Sequence, residues 1–288
     1  MRKAGIASLS VSLFLVAIKT FAYFASHSVA MLASLADSAL DLFTSSLNLF
    51  AIHQALAPAD DEHRFGHGKA EPLAGLAQAA FITASALFIT VQAVTRLMAP
   101  EPLDNSVPAL VVMMVSIVCA IGLILYEKRV VAKTGSLAVE SDAVHYLGDL
   151  ATNIGVVIAI GLVAWMGWLA ADPVIAIAVA GVMLFTAFGV GRRALDQLMD
   201  RELQPEDRDR IVRIAMIHDG VQNVHELKTR MAGAMTFIQL HLGLDPQMKL
   251  AEAHAISDAV EKAILNAYPG ADVIIHQDPL GPNTPPSL

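Results

Sequence analysis

Cysteine is nearly absent: Cys119 is the only one among 288 residues. One thiol excludes an intrachain disulfide, a cysteine-rich zinc ribbon and an iron–sulfur cluster ligated within one chain, and in an apolar run it reads as packing. Charged residues are scarce too, at 16% against the roughly 25% usual for soluble domains. They sum to a formal charge of -8, which argues against nucleic acid as the main partner. No His-Glu-x-x-His motif is present, so a membrane metalloprotease is disfavoured. Gly66 and Gly68 are not a phosphate loop, because no Gly-rich turn leads to a Lys-Ser or Lys-Thr pair. The scarcity of charge is also uneven. The first 200 residues hold 26 of the 46 charged side chains and the last 88 hold the other 20. The chain therefore reads as a membrane domain over 1–200, a soluble domain over 201–280 and a disordered tail over 281–288. The Pro/Asn/Ser-rich composition of that tail begins at Pro279.

What is present in the first part is a series of apolar runs, at about 6–30, 32–57, 72–99, 107–127, 138–170 and 173–191. A hydrocarbon core needs about 20 helical residues, so six transmembrane helices are expected, the first two as a tight hairpin. The first run follows Arg2-Lys3 and could imitate a secretory signal ending near Ser28-Val29-Ala30. It is too long for that, Lys19 interrupts it, and a second run follows at once, so a retained helix is expected. Lys and Arg fall before run one (Arg2, Lys3), between two and three (Arg64, Lys69), between four and five (Lys128, Arg129, Lys133) and after six (Arg192, Arg193). The other side has little beyond Arg96. The positive-inside rule then puts both termini in the cytoplasm.

Ionisable residues inside apolar helices are costly and point to function. The second run contains Asp37 and Asp41, and the fifth contains His145 and Asp149, each pair four residues apart and so on one helix face. Either pair alone is also compatible with helix-end or proton-relay residues and a packed histidine. Together the pairs supply one imidazole and three carboxylates, a set suited to tetrahedral zinc and open to iron(II), cobalt, nickel or cadmium rather than magnesium or calcium. Asp142 could face the same cavity, Glu140 reads as interfacial, Asn48 as an interhelical hydrogen bonder, and Lys19 as snorkelling or paired with a carboxylate. In the loop after the second run, Asp60, His63 and His67 offer a second ligand cluster, or else a solvated acidic loop.

The last part reads as αββαβ, a small open sandwich with helices on one face of a three-stranded sheet. The helices are 205–217, opened by Pro205, and 247–267; the strands are 221–230, 235–243 and 272–277. His225, His241 and His276 fall one on each strand, His254 on the second helix, and Asp278 two residues after His276. They could converge, or be unrelated surface histidines. His218 reads as a cap at the end of the first helix.

Four segments carry a family resemblance: Ser34-Leu35-Ala36-Asp37-Ser38-Ala39-Leu40-Asp41, Phe65-Gly66-His67-Gly68-Lys69-Ala70-Glu71, the His145/Asp149 pair, and Ile274-Ile275-His276-Gln277-Asp278-Pro279. With these in order, residues 5–280 resemble the cation diffusion facilitator family, and within it the bacterial ferrous-iron/zinc efflux transporters. The resemblance implies a six-helix membrane domain followed by a cytoplasmic α+β, ferredoxin-like domain, in a homodimer of the bacterial inner membrane. It implies a transport site of Asp37, Asp41, His145 and Asp149, and a loop site of Asp60, His63 and His67. His225, His241, His254, His276 and Asp278 would form a cytoplasmic binuclear site, and Lys69 and Asp200 a charge interlock; His218 stays unassigned. The implied activity is proton-coupled export of a divalent transition metal by alternating access, zinc and/or iron(II) with cadmium, cobalt or manganese also compatible, with zinc at the regulatory sites, no cofactor and no nucleotide. The alternative is a membrane-anchored metal sensor that binds through its tail without transport.

Overall fold

A computed structural model of the chain describes residues 1–26, 29–98, 107–168 and 170–280. Ser28 of the signal-like segment, residue 99 at the end of the third run, and the 281–288 tail lie outside the described residues. The chain divides into two compact units, Met1–Leu195 and Asp196–Leu288.

The first unit is helical: α1 (Arg2–Ser26), α2 (Val29–Ala55), α3 (Ala70–Met98), α4 (Val107–Thr134), α5 (Leu137–Met166) and α6 (Ala171–Leu198), whose last turn passes into the second unit. Among the described residues five helices, α1 and α3 to α6, are long and apolar enough to cross a membrane. The 27-residue α2 is of similar length, but Asp37, Asp41 and four serines dilute its apolar character. The fourth apolar run ends at 127, which predicts a loop for the basic residues after it. Instead α4 continues through Lys128, Arg129 and Lys133 to Thr134, because lysine and arginine are good helix formers. The stop comes at Gly135, which takes a left-handed φ of +63° that favours glycine, with its amide bonded to the Val131 carbonyl at 2.8 Å. Ser136 then caps α5, its Oγ accepting from the Val139 amide at 3.3 Å. Two residues thus turn α4 back into α5.

Small side chains let α3 and α6 approach closely, as in other membrane helix pairs. A Cβ at Gly75 would lie 3.9 Å from Ala194 Cβ, and one at Gly191 would lie 3.4 Å from Ala79 Cβ. Ile82, Ala86, Ala180, Met183 and Ala187 continue the contact. Arg96 of α3 closes it with an ion pair to Asp172 of α6 at 2.9 Å. At Gly148 on α5, any side chain would meet Met183 of α6 at 3.0 Å.

The second unit comprises α7 (Pro205–Met216), β1 (Asn223–Ala232), β2 (Met235–Leu244), α8 (Leu250–Ala267) and β3 (Asp272–Pro279). The sheet order is β1-β2-β3, with β1 antiparallel and β3 parallel to the central β2. Ile238, Leu240, Leu242 and Leu244 alternate along β2 toward Ile211, Ala215, Ala253, Val260 and Ile264 of the two helices. Full burial of a side chain of this size contributes about 1.5–3 kcal/mol. Pro279 and Leu280 do not belong to a disordered tail: β3 reaches Pro279 opposite Leu244, and the Leu280 amide bonds the Leu244 carbonyl at 2.9 Å. The added parallel pairing outweighs the turn-prone composition there.

Leu240→Ala would remove a nearly inaccessible side chain from this core and lower the unfolding free energy of the second unit by about 2–5 kcal/mol. Limited proteolysis of the full-length protein would show earlier cleavage after residue 200.

Candidate metal centres

Among the described residues, three groups of side chains have donor atoms close enough to hold a metal ion, each group within 4.8 Å: Asp41, His145 and Asp149; Asp60, His63 and His67; and His225, His241 and Asp278.

The first group joins α2 to α5. His145 Nε2 lies 3.0 Å from Asp41 Oδ1 and 3.7 Å from Asp149 Oδ2. Asp41 and His145 are each only 8% exposed. The register that brings them together is set by polar bonds at the start of α5 and beside His145. At α5's first turn, Glu71 of α3 accepts from the Ser136 hydroxyl in a short bond and from the Ala138 amide at 3.3 Å. Asn48 of α2 donates to the Ala138 carbonyl at 3.2 Å. Beside His145, the Tyr146 hydroxyl lies 2.6 Å from Ser12 Oγ and 3.3 Å from Ser45 Oγ, and Ser8 donates to Ser45 at 3.0 Å. These hydroxyls tie α1, α2 and α5 together one turn from Asp41.

Asp37 shares Asp41's helix face but is exposed and outside this group. Among the described residues no carboxylate forms an ion pair with Lys19, which does not snorkel: it is buried and donates to Ser38 Oγ at 2.6 Å and the Ser34 carbonyl at 3.2 Å. Two hydroxyl and carbonyl acceptors satisfy its ammonium inside the bundle. Glu140 pairs with Arg193 at 2.7 Å. Asp142 is buried and accepts from Gln78 at 3.2 Å.

The loop group is held by backbone geometry. Asp60 Oδ1 accepts from the amides of His63 (2.6 Å) and Glu62 (3.0 Å), and lies 3.2 Å from His63 Nδ1. Asp60 Oδ2 lies 3.3 Å from His67 Nε2, and the two imidazole rings are 4.5 Å apart. The His63 amide, above all, holds the Asp60 carboxyl below the usual carboxylate range. Lys69 ends this loop at the entrance to α3.

In the second unit, strand register makes the site. His225 pairs with His241 across β1–β2, and His241 with His276 across β2–β3, so the three imidazoles form a row. Ring centroids are 5.3 and 4.6 Å apart. A bulge after His225, where Glu226 takes a φ of +47°, shifts the register before Lys228. Asp278, two residues beyond His276 on the same strand face, gathers the row. Its Oδ2 lies 2.8 Å from His241 Nδ1 and 3.0 Å from His225 Nε2, and its Oδ1 3.0 Å from His276 Nε2. His254 is not brought in; it is exposed on α8 and 3.7 Å from Asp258. His218 lies 3.0 Å from the Ile214 carbonyl at the end of α7. Asp200, with a φ of +55°, accepts from Arg230 at 3.2 Å. The two-imidazole, one-carboxylate sets of the loop and of the sheet fit the nitrogen and oxygen ligation that zinc takes.

Sequence reasoning passed over the supporting residues Glu71, Gln78 and Tyr146. A polar or ionisable residue within an apolar helix is the signal that finds Glu71 and Gln78; Tyr146 had none beyond its place next to His145.

The hydrogen bond with His241, then that with His225, holds Asp278 below the usual carboxylate range. A depressed folded-state value means the stabilisation is present above the unfolded value of about 3.9 and is lost as pH falls through the folded one. Acid unfolding of Asp278→Asn, followed by circular dichroism, should lack that component. Calorimetry at neutral pH should show zinc binding to the sheet weakened by about tenfold or more.

Known proteins resemble the chain along almost its whole length. The cation efflux transmembrane domain model matches residues 5–199, and the model of the cation efflux protein cytoplasmic domain matches 203–280. The cation-efflux pump FieF of Citrobacter koseri is 42% identical over 277 residues, covering 96% of this chain and 92% of that protein. FieF of Klebsiella pneumoniae subsp. pneumoniae matches at 42% and that of Escherichia coli O1:K1 at 41%, with the same coverage. Among solved structures, one of the putative zinc transporter CzrB is 37% identical over 27% of this chain and 99% of its own, with a TM-score of 0.27. A nickel form of the MamM CTD is 24% identical over 27% of this chain and 100% of its own, with a TM-score of 0.26. From the length and identity of the FieF matches and the two domain models, the chain belongs to the cation efflux, or cation diffusion facilitator, family of membrane transporters, which are not enzymes.

Proposed function

We propose that this protein exports a divalent transition metal, zinc or iron(II), from the cytoplasm in exchange for protons. The observation that carries the reading is the Asp41–His145–Asp149 group, which brings an imidazole and two carboxylates together between two long helices. Membership of the cation efflux family and the relatives' name, cation-efflux pump, support the direction of transport. In this reading all six helices span the inner membrane with both termini in the cytoplasm, over residues 1–200, and 201–280 form a cytoplasmic metal-binding and dimerising domain.

Metal and protons compete for the same atoms, because coordination needs a neutral imidazole and ionised carboxylates. With the bundle open to the cytoplasm, Asp41, His145 and Asp149 bind the ion, and Asp37 closes in from the same face of α2 as a fourth ligand. With the bundle open to the opposite side, protons displace the ion from His145 and the aspartates, and return of the protonated bundle completes the exchange. Rocking between two arrangements around one site is the general solution for secondary transport. Asp60, His63 and His67 lie beside the entrance to α3, where they gather metal from the cytoplasm. Zinc on the His225–His241–Asp278 row supplies a regulatory link between two copies of the second unit.

Sealed proteoliposomes with a pH gradient imposed in either direction test this. Zinc or iron(II) uptake should follow the gradient, and Asp41→Ala should lower it by more than the roughly 10–100-fold typical of losing an outer-shell partner of a metal site. A folded protein that binds zinc on the sheet while no ion moves would make it a membrane-anchored sensor instead.

A further inference from the structure

Glu127 of α4 lies against Asp142 of α5, and the two are 0% and 1% exposed. Neither oxygen of Glu127 has a hydrogen-bond donor, and neither does Oδ2 of Asp142. Asp142 Oδ1 accepts one bond, from Gln78 Nε2 at 3.2 Å. Gln78 has its carbonyl oxygen occupied by Ser141 Oγ at 3.0 Å, and that hydroxyl also reaches the Ala138 carbonyl at 2.9 Å. The other titratable groups near Asp142 are His145 and Tyr146 on its own helix, and both are engaged elsewhere, with Asp41 and Ser12. Among the described residues no cation pairs with either carboxyl.

A carboxylate offers only acceptors, whereas a protonated carboxyl supplies one donor. Two adjoining buried carboxylates with no cation cannot both stay ionised. The hydrogen this pair lacks must therefore come from one of its own members. We infer that Glu127 and Asp142 hold one proton between them, so that a carboxyl-to-carboxylate hydrogen bond ties α4 to α5 and forms a proton-binding site separate from the Asp41–His145–Asp149 group. Loss of the proton leaves two like charges facing each other between the helices, three residues before His145. A link to metal movement rests on the efflux reading; the proton itself does not.

Infrared spectroscopy of the full-length, metal-free protein in phosphatidylcholine vesicles at neutral pH tests the inference. The native protein should show a protonated-carboxyl C=O band that shifts in D2O. Glu127→Gln should lose that contribution in full, because its amide donates to Asp142 in the proton's place, and Asp142→Asn should lose it by the reciprocal bond. If either variant fails to keep native helicity, the other and the deuteration shift of the native band decide. A native-minus-variant spectrum without the band would overturn the proposal. So would a native pair that is fully ionised and whose carboxylate stretch responds to added magnesium, since that describes a cation site. Zinc flux is measured separately: a lost band beside absent flux leaves the proton pair standing and removes the efflux reading.

Discussion

A polar or ionisable side chain inside an apolar helix bundle is costly unless a partner meets it, and the packing of α1, α2 and α5 is organised around such meetings. His145 answers Asp41, Ser38 answers Lys19, and the serines of α1 and α2 answer Tyr146. Each of these bonds also fixes a rotation and a height of one helix against another. The geometry of the ligand group is in this sense a by-product of polar satisfaction, and the helices cannot slide without leaving buried donors and acceptors unpaired. The α3–α6 contact has the opposite character: small residues, close backbones and one ion pair at an end. It supports the polar layer without depending on it.

The three metal-type groups rest on different kinds of scaffold. The α2–α5 group depends on two helices meeting at a register, and any motion of α2 against α5 changes its donor distances. The loop group is organised by Asp60 accepting its own downstream amides, a local turn chemistry that needs no distant contact. The sheet group depends on strand pairing, where a slip of one residue would send every imidazole to the helix-covered face. A site meant to bind and release suits the first scaffold. A site meant to stay assembled suits the third.

Periodicity exposed most of the architecture. Runs near helical membrane length located the six helices, and alternation located the strands of β1 and β2. Boundaries slipped where a residue's chemistry and its place in the fold disagreed. Basic residues that look like a loop extend α4, because Gly135 rather than charge ends it. Pro279 and Leu280 look like tail and instead follow β2, because the Leu244 carbonyl offers a partner. Aspartates four residues apart predict a shared face but not a shared degree of approach, so Asp37 and Asp41 are distinguished only by how the helices pack. His254 has the composition of a ligand and the position of a surface residue.

By itself the sequence determined which residues are available as ligands, which helix or strand carries each, and that a charge-poor chain with carboxylates and histidine inside its apolar runs handles cations. Those properties follow from local chemistry and from periods of 3.6 and 2 residues, which act over a few neighbours. Tertiary structure alone decided which candidate ligands converge, that His225, His241 and His276 stand in one row, and that both oxygens of Glu127 and Oδ2 of Asp142 are buried without a donor. Such facts depend on the rotation and register of elements far apart in the chain, set by the sum of many weak contacts and by the need to pair every buried polar group.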